Sequence, residues 1–321
     1  QSLLRTKFMD TQALKAFLAV AEQRSFSLAA EQLHLTQSAV SKRIQLLEQQ
    51  LGNALFDRHN RTISLTEAGH ALQPKARQIL DLVADTELRL MNLGGEVSGV
   101  LSLATSHHIG LHRLPPVLRE FVSRYPSAQL NLSFMGSERA YQAVNLRQVE
   151  LALTTLEANN DQVPEGIEAL PLWQDDMVCV CAPGHPLAAI AHLSLQDLAQ
   201  APAILPEPDT ITFQLLERVF RQAGLNLHAP MPTNYLETIK MMVSVGMGWS
   251  LLPQSMLDEQ LVRLPWPSAP IRRQLGLIHL RHRTLSNAAR AFIDILSPPA
   301  YDELQTQHNM TQNKAGVSAK R

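Results

Sequence analysis

Five polar side chains, Gln37, Ser38, Ser41, Lys42 and Gln45, sit at helical spacing and are the residues of this sequence best suited to recognition chemistry. Glutamine can bond to an adenine edge, serine to bases or phosphates, and lysine supplies charge beside a phosphodiester backbone. They alternate with Val40, Ile44, Leu47 and Leu51, whose three- and four-residue spacing marks a buried stripe. The pattern suits a helix lying in a DNA major groove; the competing reading is an ordinary amphipathic helix with a solvated face. Other constellations offer less. His108 and His112 have i, i+4 spacing and His107 is adjacent, but no Cys or carboxylate lies nearby in sequence, so they read as cleft-lining or core histidines and no metal is expected. Cys179 and Cys181 fall within the apolar run Met177–Cys181 and read as one face of a strand rather than a redox pair. Asp175-Asp176 reads as a polar turn. Gly246-x-Gly248 is too short for a dinucleotide fingerprint, and no P-loop or nucleophile elbow occurs. An enzyme and a cofactor are therefore not expected.

The elements that position the five side chains are legible. Asp10 or Thr11 can cap a first helix with Leu14, Phe17, Leu18 and Ala21 inward. Ser25 or Ser27 can cap a second with Leu28, Ala29 and Leu33 inward, and Thr36 caps the third, which Gly52 ends. The short connection Leu33–Thr36 and the small Ala29 and Ala30 give helix-turn-helix geometry. Residues 55–65 read as two short extended pieces around a polar, basic tip, the shape of a wing. From Thr66 to about Met91 runs a long helix with Leu72, Ala76, Ile79, Val83 and Leu90 on one side, an apolar stripe that a second subunit could cover; Pro74 is expected to kink it or delay its start. Beyond Gly94-Gly95, strand-like and helical runs alternate, which argues an α/β body with a mainly parallel sheet.

These residues resemble a known family. Ser27-Leu28-Ala29-Ala30, Leu35-Thr36-Gln37-Ser38-Ala39-Val40-Ser41, Leu51-Gly52, Leu55-Phe56-Asp57-Arg58 and Leu65-Thr66-Glu67-Ala68-Gly69 are similar to the LysR-type transcriptional regulators. The resemblance covers roughly residues 9–296 and is most specific in the first 70. Thr36 stands where Ser is frequent in the family, and Ser38 where Pro is frequent.

The resemblance implies an α/β fold class: an N-terminal winged helix-turn-helix plus linker helix, followed by a two-lobed effector domain like that of periplasmic binding proteins. The implied domains are 9–65 for DNA binding, 66–93 for linkage and dimerisation, and 97–297 for effector binding, with a tail at 298–321 expected to lack fixed structure. Lobe I would comprise 97–165 and 266–296, lobe II 166–265. DNA contacts fall to Thr36, Gln37, Ser38, Ser41, Lys42 and Gln45, with Arg58 and Arg61 on the wing. Effector contacts at strand ends and helix starts would come from Thr105, Ser106, His107, His108, Thr154, Thr210, Thr212, Gly246 and Gly248. Hydroxyls and helix N-termini suit a carboxylate or other oxyanion, while the lack of Arg or Lys in these segments keeps a neutral or aromatic ligand open. The implied partners are double-stranded DNA carrying an interrupted palindrome, a small-molecule effector, and further copies of the chain in a homodimer or homotetramer.

Composition bounds the alternatives. The 321 residues are 45% apolar and 18% charged, a globular balance. The net charge of −1 divides unevenly: residues 1–62 carry eight basic and five acidic side chains, whereas 97–297 carry fourteen and seventeen. Phosphate attraction therefore belongs to the head. Only two cysteines occur, no apolar run approaches the roughly 20 residues a membrane span needs, and no signal-peptide pattern precedes Met9-Asp10. A cytoplasmic protein with no membrane partner is expected. A solute-binding protein or an enzyme on the same two-lobed body would leave residues 10–65 unexplained.

Overall fold

The computed structural model describes residues 10–57, 63–156 and 163–296. They form two compact units divided after Gly94. The wing tip with Arg58 and Arg61, and the segment 298–321, lie outside the described residues.

In the first unit, α1 (Thr11–Gln23) is capped by Asp10, α2 (Phe26–Gln32) by Ser25 and α3 (Gln37–Leu51) by Thr36. Leu14, Phe17, Val20, Ala29, Ala30, Val40, Ile44 and Leu47 are buried together, so the helical spacings in the sequence correspond to one core. Leu28 corrects an expectation: it is 49% exposed, and Ala30 is buried instead. Successive residues on a helix turn by about 100°, so a helix that presents both alanines to its neighbours swings Leu28 outward.

A short antiparallel ladder pairs β1 (Phe56–Asp57) with β2 (Ser64–Leu65) and forms the wing base. Glu48 on α3 holds it by accepting the Leu55 backbone N–H at 2.8 Å. The helix α4 (Glu67–Asn92) starts at its Thr66 cap and continues through Pro74, so the proline does not delay it. Its first turn fits against the wing base only because residue 69 is glycine: a Cβ there would collide with the Leu55 carbonyl oxygen. Further along, Leu82, Leu90 and Met91 are exposed.

The second unit is built on a seven-stranded sheet ordered β4-β3-β5-β9-β6-β7, with β8 also on β6. β3 (Gly99–Thr105) pairs in parallel with β4 (Ala128–Phe134) and β5 (Leu151–Thr155), while β6 (Ile167–Cys181), β7 (Ser250–Pro253), β8 (Val262–Arg263) and β9 (Arg272–Leu280) form antiparallel ladders. The mainly parallel sheet expected from strand–helix alternation is thus mixed. The reason is that two strands carry the chain between lobes. β6 leaves lobe I bonded to β9 and ends in lobe II bonded to β7 and β8, and β9 returns antiparallel to it.

Lobe I adds α5 (His107–His112), α6 (Leu114–Arg124), α7 (Ser137–Asn145) and α11 (Asn287–Leu296); lobe II adds α8 (Leu195–Gln200), α9 (Ile211–Gln222) and α10 (Leu236–Ser244). Separate apolar clusters fill them, one including Phe121, Leu153, Leu277 and Phe292, another Cys179, Cys181, Phe220 and Trp249. Both cysteines are buried, free and in the same cluster, as expected of one strand face. Asp175 and Asp176, expected in a polar turn, lie inside β6 opposite Arg273 and Arg272. Among the described residues no helix is long and apolar enough to cross a membrane.

Candidate nucleic-acid interface and effector cavity

The outer face of α3 is prepared at its N-terminus. Thr36 accepts the Ala39 N–H at 3.2 Å, and its hydroxyl also lies 3.1 Å from that of Ser38. Thr36, Gln37, Ser38, Lys42 and Gln45 are exposed and Ser41 is half-buried, while Val40, Ile44 and Leu47 anchor the opposite face. One face thus carries amide, hydroxyl and ammonium groups on a rigid rod fixed in a core, the arrangement that reads base edges from a major groove.

In the second unit, a cavity of about 70 Å³ opens between the lobes. Ser106, His107, His108, Glu138 and Thr155 line it from lobe I, Thr210, Ile211, Thr212, Asn234 and Leu236 from lobe II, and Arg273 from the crossing strand β9.

Five of the nine effector residues expected from sequence line this cavity: Ser106, His107, His108, Thr210 and Thr212. Ser106 caps α5, accepting the Ile109 N–H at 3.4 Å, and Thr210 caps α9, accepting the Phe213 N–H at 3.2 Å. Four do not line it. Thr105 is fully buried, and so is Thr154, whose hydroxyl has no hydrogen-bond partner. Side chains alternate along a strand, so Thr155 rather than Thr154 reaches the cavity. Gly246 has a positive φ of 85°, a turn requirement, and Gly248 lets the chain pass the Pro202 carbonyl oxygen, which a Cβ would strike.

The structure also supplies residues the sequence reading missed. Arg273 is 8% exposed and donates to Asp175 Oδ2 from Nη2 at 2.9 Å and from Nε at 3.2 Å, while Nη1 donates to Thr212 Oγ1 at 3.3 Å. Arg113 donates to Asp175 Oδ1 at 3.2 Å. Burial alone would raise the Asp175 carboxyl, but the His108 ring and the Arg273 guanidinium outweigh it and hold the carboxyl well below the usual carboxylate range. Burial likewise pushes Arg273 down, opposed by Asp175. From the other lobe, Glu138 accepts the Ile211 backbone N–H at 3.3 Å. A lobe I carboxylate thus rests at the start of a lobe II helix, where unsatisfied N–H groups favour negative charge. The available signal was a charged Arg272-Arg273 pair leading a largely apolar strand; its depth depends on a pairing with residues almost a hundred positions away.

The sequence model described as "LysR substrate binding domain" matches residues 94–298, and "Bacterial regulatory helix-turn-helix protein, lysR family" matches residues 11–70. The chain belongs to the LysR family of transcriptional regulators. This LysR-type regulator is 31% identical over 284 residues to the RuBisCO operon transcriptional regulator of Allochromatium vinosum, covering 87% of this chain and 92% of that protein. It is 29% identical to the regulator CysL of Bacillus subtilis, covering 85% and 87% of the two chains. Full-length CbnR complexed with its target DNA shares the fold at a TM-score of 0.55 and 22% identity, over 91% of this chain and all of that one. A full-length OxyR variant from Pseudomonas aeruginosa does so at 0.62 and 19%, over 90% and 93%. The protein is therefore a DNA-binding transcription regulator controlled through an effector domain, and not an enzyme.

Proposed function

We propose that this regulator is switched by a small carboxylate or related oxyanion that enters the cavity, displaces Glu138 from the Ile211 N–H and engages Arg273. One observation carries the reading: the α9 N-terminus is met by a carboxylate from the opposite lobe beside a buried arginine. An anion that replaced Glu138 would keep the N–H satisfied while removing a tie between lobes, so it would bind the two lobe arrangements unequally, as a switch requires. Ser106, His107, Thr210 and Thr212 would orient it. Thr105, Thr154, Gly246 and Gly248 would shape the cavity from behind.

The DNA-reading residues would be Thr36, Gln37, Ser38, Ser41, Lys42 and Gln45, with Arg58 and Arg61 reaching the backbone from the wing. Paired heads joined through α4 would read an interrupted palindrome as a dimer or tetramer in the cytoplasm. The boundaries would be 9–65 for the head, 66–93 for the linker and 97–297 for the effector domain.

Calorimetric titration of the full chain with two- to five-carbon acids tests the effector reading. A binding acid should lose at least about tenfold in affinity in Arg273→Met, the scale of one charge-assisted hydrogen-bond pair. Equal affinity in Arg273→Met, or selective binding of an uncharged analogue, would overturn it.

A further inference from the structure

Beside the cavity, α5 of lobe I and α10 of lobe II meet through a second set of side chains. His108 and His112 stand one helical turn apart, ring centroids 4.9 Å apart, and Glu237 in the first turn of α10 approaches them from the other lobe. Each of the three offers one ligand atom, and the three atoms lie within 4.8 Å of one another. His112 Nε2 and Glu237 Oε1 are 3.1 Å apart, close to the roughly 3.3 Å between two ligands of a tetrahedral ion with bonds near 2.0–2.1 Å.

A second observation is independent of this spacing. The His108 ring is 5% exposed, and neither of its nitrogens makes a hydrogen bond. Its Nε2 lies 3.4 Å from Asp175 Oδ2, close but not aligned as a hydrogen bond. A buried imidazole with no aligned hydrogen bond is costly, and a carboxylate beside one nitrogen is the usual companion of a histidine that ligates through its other one.

We propose that His108, His112 and Glu237 form a site for a divalent transition ion of the zinc class, which clamps lobe I to lobe II. Two imidazoles and one carboxylate are a recurrent three-residue ligand set for such ions, with the fourth position left to water or another donor. Closing the remaining gap needs only side-chain rotation of His112 and Glu237, both half-exposed. Because the ligands come from both lobes, the ion would favour the arrangement that brings α5 and α10 together.

The test uses the full chain, stripped with chelator, and Co²⁺ alone as the probe. Wild type should develop visible absorption at one ion per chain and unfold at a higher temperature with Co²⁺. His112→Ala and Glu237→Gln should each weaken binding by at least about tenfold, the lower end of the loss caused by removing a mere supporting partner, and should abolish the thermal shift. Neither side chain is buried, so both variants should match the wild-type circular dichroism without metal. Wild type that shows no visible absorption with Co²⁺ would overturn the proposal. So would Co²⁺ affinity and thermal shift unchanged in both variants, which would move the ion to another site.

Discussion

Asp175 and Arg273 stand opposite each other in the β6–β9 ladder, carboxylate and guanidinium 2.9 Å apart, where both strands pass between the lobes. The pair is nearly sealed from water, with side-chain exposures of 1% and 7%, so neither charge has solvent to fall back on. Asp175→Asn should leave Arg273 buried without its counter-ion and cost about 3–5 kcal/mol of stability. The combined Asp175→Asn, Arg273→Met variant should recover part of that loss, since it removes the guanidinium that would otherwise lie buried without a counter-ion. Urea unfolding of the two variants checks both statements.

The α3 face makes a prediction separable by salt. Lys42→Ala should weaken binding to all DNA sequences alike and reduce the slope of log affinity against log salt by about one per head. Gln45→Ala should leave that slope unchanged while costing about 1–3 kcal/mol on the preferred sequence alone. Fluorescence anisotropy on specific and scrambled duplexes at several salt concentrations distinguishes them.

Leu82 and Leu90 on α4 are 68% and 64% exposed in the single chain. If a second α4 covers them, Leu82→Glu with Leu90→Glu should shift the protein towards monomer in sedimentation and lower its affinity for a two-half-site operator at least about tenfold, because each head then binds alone. An unchanged sedimentation coefficient would assign association to another surface.

Burial pushes both cysteine thiols up, Cys179 most strongly with Cys181 beside it adding to the effect. Neither should react with a thiol reagent at neutral pH in the folded protein, because the thiolate is the nucleophile. Both should titrate once urea unfolds the chain, which a colourimetric thiol count would record.

Local patterns carried the first unit. Asp10, Ser25 and Thr36 cap the three helices, and the spacing of Val40, Ile44 and Leu47 already separated the core from the exposed polar face. Leu28 escaped because a helix of two turns can rotate its apolar face by one residue without breaking the pattern. In the second unit the cavity rim was legible where a hydroxyl precedes a helix, as at Ser106 and Thr210. Thr154 and Thr155 were separable only by strand register. Arg273, Asp175 and Glu237 were out of reach, since each matters through a partner distant in sequence: Thr212 for Arg273, Arg113 for Asp175, His112 for Glu237. The histidine pair has no carboxylate nearby in sequence for the same reason, Glu237 lying 125 residues beyond His112.

The two lobes are tethered by paired strands rather than by free loops, and this limits how they can move. A ladder of interstrand bonds yields to twisting far more readily than to sliding, because a one-residue slip would exchange its two faces. Such a slip would turn Asp175 away from Arg273. Motions that keep the ladder intact, twisting and bending of the ribbon, are the ones left to the lobes. An effector held in the gap would then be read out as a change in the angle between the lobes.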